Sequence, residues 1–261
     1  MAASGLGVAG VSGPAREGRI FVWLAGVQAL TAFAGFAPTY WLQLPGATFD
    51  GSALLHLHAV LFSAWTLLIV WQSWLASRGE LRRHRAFGLA GVSLASLMVL
   101  VGLATAVARV HQADATSFAL EARRFLIVQV SAMALFAGLV TAAIVLARRP
   151  GWHPRLMVAA TASLLQAAVA RLPFLIVHGT GPGVSPSHFA PPPLGLILAP
   201  EMSVNLFLAA GLIHDIRTRG RPHPAWPVGL AAIAIVTLAR DPLAHTAGWL
   251  AVADDLARFA G

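Results

Sequence analysis

The sequence predicts an all-α polytopic membrane protein, a transmembrane helical bundle of about seven spans in one domain. Three observations carry this prediction. Of the 261 residues, 57% are hydrophobic and only 11% are charged, whereas a soluble domain carries about 25% charged residues. The mean hydropathy is +0.73. The apolar residues also gather into runs of about 20, the length that crosses a hydrocarbon core.

The spans fall, in order, at 20–42, 53–76, 86–110, 125–147, 156–178, 194–216 and 226–247. Residues 1–19 form an N-terminal cytoplasmic tail, 20–247 the seven-helix domain, and 248–261 a short C-terminal interfacial segment. The first run is too long for a signal-peptide core of about 7–15 residues, so it reads as a retained helix. The second span reads LLHLHAVLFSAWTLLIVWQSWLA and places His56 and His58 at its mouth. At about 100° per residue, His58, Phe62, Trp65, Ile69 and Gln72 share one face. His56 points the other way, toward Val60, Leu67, Val70 and Trp74. Polar groups in a membrane turn to the bundle interior, so His58 is the inward histidine and His56 belongs at the headgroup boundary. Trp65, Trp71 and Trp74 read as interface anchors and core before they read as cofactor lining. In the third span, Gly88, Gly91 and Gly102 serve close helix packing. The fifth places Arg171 and His178 on one stripe, with Pro173 positioned to break the helix. The sixth aligns Glu201 with Asn205. The seventh aligns Thr237, Asp241 and His245, with Arg240 beside them.

Arginine placement sets the orientation. With the N-terminus cytoplasmic, 12 arginines lie in inner segments (16, 19, 78, 82, 83, 85, 148, 149, 155, 217, 219, 221). Only 4 lie in outer segments (109, 123, 124, 258), and Arg171 and Arg240 fall inside spans. That asymmetry follows the positive-inside rule and fits the cytoplasmic (inner) membrane of a cell. It also excludes a nucleic-acid patch, because the charges sit between apolar runs. The sequence has no Cys, which excludes disulfides, thiolate metal sites and iron–sulfur clusters. It has no Lys either, so a retinal-type Schiff base is excluded. No GxSxG, HExxH or Walker-type loop is present, and the sequence leaves open whether the protein is an enzyme.

The three inner hairpins echo one another as RGELRRHRAFG, RRPGWHPRLM and RTRGRPHPAW, with His84, His153 and His223 in matching places. Interface anchoring explains each histidine alone, and the three together leave room for a second, cytoplasmic metal or haem-edge site. With Trp65 and Gln72, the patterns HRxxG (84–88), HxRLM (153–157) and GRxHP (220–224) resemble a group of uncharacterised bacterial multi-pass membrane proteins. That resemblance covers most of the chain and implies no activity. More distantly, the architecture is similar to the membrane cytochrome b proteins, which hold haem between histidines on neighbouring helices.

The intramembrane charges converge in depth. From their inner ends, Arg171 and Arg240 lie roughly 20 Å up, and Glu201 lies roughly 10 Å down from the outer end. His58, His178 and His245 lie near them toward the outer rim. A charge at the bilayer centre costs about 2.5–3.5 kcal/mol on the insertion scale, so partners are required. Glu201 is expected to pair with Arg171 or Arg240, and Asp241 to orient His245 or take the remaining arginine. One outcome is an ion-pair network that fixes the packing of spans five to seven. The other is an outward polar cavity. There, two axial histidines among His58, His178 and His245 would hold haem b, with Arg171 or Arg240 on a propionate. Alternatively, those histidines with Asp241 and Glu201 would ligate Zn, Cu or Fe. His111 and His188 are further outer candidates. The expected function is electron transfer, with quinone or another membrane redox protein as partner. The alternatives are a proton-coupled small-molecule transporter and a non-catalytic accessory subunit of a membrane complex. The outer connection 179–195, rich in Pro and Gly, reads as a flexible linker before it reads as a lid.

Overall fold

In a computed structural model, the chain is described over residues 14–259, with side chains described over 18–258. The tail residues 1–13 and the side chains of Arg16 and Glu17 lie outside the described residues. Seven helices are long and apolar enough to cross a membrane: Gly18–Trp41, Ala53–Ser77, Leu81–Asp114, Ala119–Val145, Trp152–His178, Leu194–Arg219 and Ala225–Ala244. Among the described residues there is no strand. The chain is thus an all-α multi-pass membrane protein.

The helices are α1 (Pro14–Phe36), α2 (Ala53–Ser77), α3 (Leu81–Asp114), α4 (Ala119–Val145), α5 (Trp152–Leu164), α6 (Gln166–Val169), α7 (Arg171–His178), α8 (Leu194–Ser203), α9 (Asn205–Arg219), α10 (Ala225–Ala244) and α11 (Ala247–Phe259). The fifth span is α5–α7 and the sixth is α8–α9. Proline explains one of the interruptions. Pro173 has no N–H for the Val169 carbonyl, and the helix breaks next to it at Ala170.

Successive helices pack as hairpins, and α5 occupies the middle, against α1, α4, α9 and α10. Its Ala159, Ala160 and Ala162 are fully buried. Lipid tails are as apolar as a side chain, so tight association in a membrane comes from close packing of small residues. Glycines elsewhere show the same device. A Cβ on Gly35 would meet the Ala168 carbonyl oxygen at 2.6 Å, and one on Gly211 would clash with the Trp226 ring. Gly91 and Gly102 are tight as expected, against Leu68 and Met133, but Gly88 faces open space.

The C-terminal segment is amphipathic. Helix α11 buries Ala253 and Ala257 against Ala106, Val110 and Leu126. Arg123 fixes it, bonding Asp254 at 2.6 Å and Asp114 at 2.7 Å. Trp249 donates to the Arg123 carbonyl oxygen at 3.0 Å.

The substitution Gly211→Val should lower stability by about 1–3 kcal/mol, the usual effect of overpacking. Gly138→Ala, at a site with no atom within 4 Å of the new Cβ, should be neutral. Thermal unfolding in detergent, followed by size exclusion, measures both.

Candidate functional site

Span five carries polar groups along its whole length; Ser163 bonds back to its own helix at Ala160, and Arg155, Thr161 and Gln166 find partners on other helices. At the arginine-rich end, Arg155 forms a two-pronged bond with Asp215 at 2.9 and 2.7 Å. Trp226 Nε1 and the His223 backbone N–H donate to the same carboxylate at 2.9 and 3.2 Å. One turn and a half further along, Trp65 donates to Thr161 at 3.3 Å. From α1, Gln28 donates to the Val158 carbonyl at 3.0 Å.

The next level holds the intramembrane ion pair. Arg240 donates to Glu201 at 2.8 Å, to Gln166 at 2.9 Å and to Ser131 at 2.8 Å. Gln166 in turn donates to Thr237 at 2.9 Å. Four spans therefore meet on one guanidinium that is 2% exposed. Its Nη2 still has no hydrogen-bond partner. Of the two partners expected for Glu201, Arg240 is the one it takes.

Asp241 and His245 do not join this network. Their side chains are 59% and 53% exposed, and they lie 3.8 Å from each other. The inward stripe of α10 is Ile233, Thr237, Arg240 and Ala244. The expected stripe followed the four-residue step from Thr237. The three-residue step wins because it buries Arg240 against Glu201 and Gln166. Asp241 does sit beside His245, and His245 Nδ1 bonds the Asp241 carbonyl at 2.8 Å.

At the opposite end of the bundle stand His58 and Arg171. The face of α2 is as expected: Trp65, Ile69 and Gln72 are buried, while Val60, Leu67 and Trp74 are exposed. His58 stacks on Phe62 with ring centres 4.0 Å apart, and its buried Nδ1 has no hydrogen-bond partner. Arg171 lies within electrostatic reach of it. The Arg171 guanidinium stands 4.4 Å over the Phe36 ring. It donates to Thr39 at 2.9 Å and to the Ala167 carbonyl at 3.2 Å. Among the described residues it has no carboxylate partner. Thr39 is placed by a widened turn, Ala37–Trp41, in which Pro38 follows the end of α1. Such π-type turns inside helices mark functional positions disproportionately.

His56, expected at the headgroup boundary, is half-buried. It bonds the Tyr40 hydroxyl at 3.0 Å and packs on Phe49, because the chain after α1 folds back over it.

The 179–195 connection is pinned at several points. Gln43 donates to the Gly181 carbonyl at 3.1 Å and accepts from the Gly183 N–H at 2.9 Å. His188 bonds Asp50 at 2.8 Å, and Arg109 donates to the Phe189 carbonyl at 3.1 Å. His178 packs between Phe174 and Phe189 at 4.7 and 4.0 Å. His178 and His188 are thus parts of this cap. His111 belongs to the α11 dock, 3.7 Å from Asp114.

The three predicted histidines therefore take three settings: His58 inside, His178 in the cap, His245 on an exposed end. Among the described residues no group of three or more His, Asp or Glu is placed to hold a metal. Asp215, Arg155 and Gln166 were not singled out by sequence reasoning. In the sequence Arg155 counts only as one of the inner-segment arginines. A signal was present in Asp215, the one acidic residue among the arginines of its helix end.

No family model, curated protein or solved structure matches the chain.

Replacing Glu201 by Gln should lower stability by about 3–5 kcal/mol, because it strands a buried guanidinium. The double variant Glu201→Gln with Arg240→Gln should lose less than the sum of the two singles. A double-mutant cycle of detergent unfolding checks this, and additive losses would show that the pair is not coupled.

Proposed function

We propose that the protein is a cytoplasmic-membrane binding protein for an acidic, largely apolar cofactor, held at the outward end of the bundle. Haem b is the occupant whose chemistry fits best. A propionate would take Arg171, and the imidazole of His58 would serve as an axial ligand. The observation carrying this reading is the pairing of two unsatisfied groups. A buried imidazole nitrogen lacks a partner, and the guanidinium within its electrostatic reach lacks a carboxylate. A charge at membrane depth without its counter-charge marks a place for an anion. The pinned 179–195 connection supports the reading, because Gln43 anchors it beside the turn that carries Thr39.

Haem in that position gives the chain an electron-transfer role, with quinone or a membrane redox protein as its exchange partner. The N-terminus is cytoplasmic in this reading, by the arginine asymmetry. Zn, Cu or Fe held by His58, His178, His245, Asp241 and Glu201 finds less support, since those groups stand apart. The transporter alternative rests on Glu201 as a proton carrier, and that carboxylate is already engaged by Arg240.

Haemin titration of the detergent-purified protein, read by the Soret band, tests the proposal. Wild type should saturate at stoichiometric haem. Arg171→Gln should weaken binding about tenfold to a hundredfold, as expected for a charged hydrogen bond of about 1.5–3 kcal/mol. His58→Leu should also change the spectrum. Titrations that superimpose for all three proteins would remove haem from this site.

A further inference from the structure

His84, His153 and His223, the histidines of the three arginine-bearing hairpins, divide into two kinds. His223 has both ring nitrogens occupied. Its Nε2 donates to the Pro150 carbonyl at 3.0 Å, and its Nδ1 accepts from the Ala225 N–H at 3.1 Å. Burial holds it below the usual imidazole range, so it stays a neutral helix cap.

His84 and His153 differ. His84 Nδ1 bonds the Gln72 carbonyl at 3.3 Å, and His153 Nδ1 bonds the Ala143 carbonyl at 3.1 Å. A carbonyl can only accept, so in each neutral ring Nδ1 carries the proton and Nε2 presents a bare lone pair. A backbone carbonyl on the far nitrogen is the arrangement that orients metal-bound histidines. The two rings stand edge-on to each other, with centres 6.0 Å apart and planes at 87°. Each comes from a different hairpin, and each is tethered to the preceding helix, so the pair is preorganised.

We propose that His84 and His153 bind a single cuprous ion through their Nε2 atoms. Three observations choose the ion. With a metal–nitrogen distance of about 2.0 Å, two imidazole centres lie about 5 Å apart on a tetrahedral ion and about 6.3 Å apart on a linear one. The observed 6.0 Å lies between the two and nearer the linear value, the geometry of two-coordinate Cu(I). No third His, Asp or Glu among the described residues joins the pair. The surroundings are cationic: Arg82, Arg83 and Arg85 flank His84, and Glu80 is already bonded to Arg83 at 2.8 Å. A monovalent ion suits such a site better than a divalent one.

The test uses tag-free, full-length protein in mild detergent, titrated anaerobically with Cu(I) held as its bicinchoninate complex. Each imidazole is then probed with diethyl pyrocarbonate, with modification read residue by residue by mass spectrometry. Stoichiometric Cu(I) should cut modification of His84 and His153 at least tenfold and leave His223 unchanged. The variants His84→Gln and His153→Gln should each lose at least tenfold in Cu(I) affinity, while His223→Gln should not. Unchanged modification of His84 and His153 under saturating Cu(I) would overturn the proposal without any variant having to fold. Protection by Zn(II) but not by Cu(I) would also overturn it.

Discussion

The α5–α6 part of span five is enclosed by protein, and this constraint organises everything around it. Neither water nor lipid headgroups can satisfy the polar groups it carries. Arg155, Thr161 and Gln166 must therefore find partners on neighbouring helices, and those partners are Asp215, Trp65, Thr237 and Arg240. An unpaired polar group in such a place is expensive, more so when charged. The hydrogen bonds thus act as a register. They set how far each neighbour slides along α5, while Ala159, Ala160 and Gly229 set how close it comes.

The same constraint divides the bundle into closed and open parts. Arg155 and Arg240 are neutralised in place, one by Asp215 and the other by Glu201. They are structural because nothing in their geometry remains to be used except one Arg240 nitrogen. Arg171 ends the ladder and breaks its pattern. It is held by a hydroxyl, a carbonyl and the face of an aromatic ring, which orient a guanidinium without cancelling its charge. His58 nearby shows the same incompleteness. At the arginine-rich end, His84 and His153 are oriented through one nitrogen and free at the other. In each case the protein holds a group firmly and leaves its reactive side unspent.

The spans were legible in the sequence because hydrocarbon thickness fixes their length and the cost of charge fixes their composition. The inward face of α2 was legible too, since Trp65, Ile69 and Gln72 recur at helical spacing. The Glu201 ion pair followed from charge cost alone, narrowed to two candidates. Helix rotation was harder where two stripes compete. On α10 the polar residues at 237, 240, 241 and 245 cover a broad arc, and only the neighbours decide which part turns inward. Asp215 was hidden because an acidic residue beside arginines at a helix end looks like any interfacial charge. The cap at 179–195 was hidden for another reason. Its anchors, Gln43, Asp50 and Arg109, lie on separate elements, and a loop rich in Pro and Gly gives no periodic signal of being pinned.

The most direct measurement is an oxidised and dithionite-reduced absorption spectrum of the protein purified in mild detergent from its own membranes, with no cofactor added. If His58 and Arg171 hold haem b, the reduced protein shows a sharp α band and the preparation contains stoichiometric haem. A colourless protein, still colourless after growth with added haem, would contradict that assignment and leave Arg171 as a structural cation within its span.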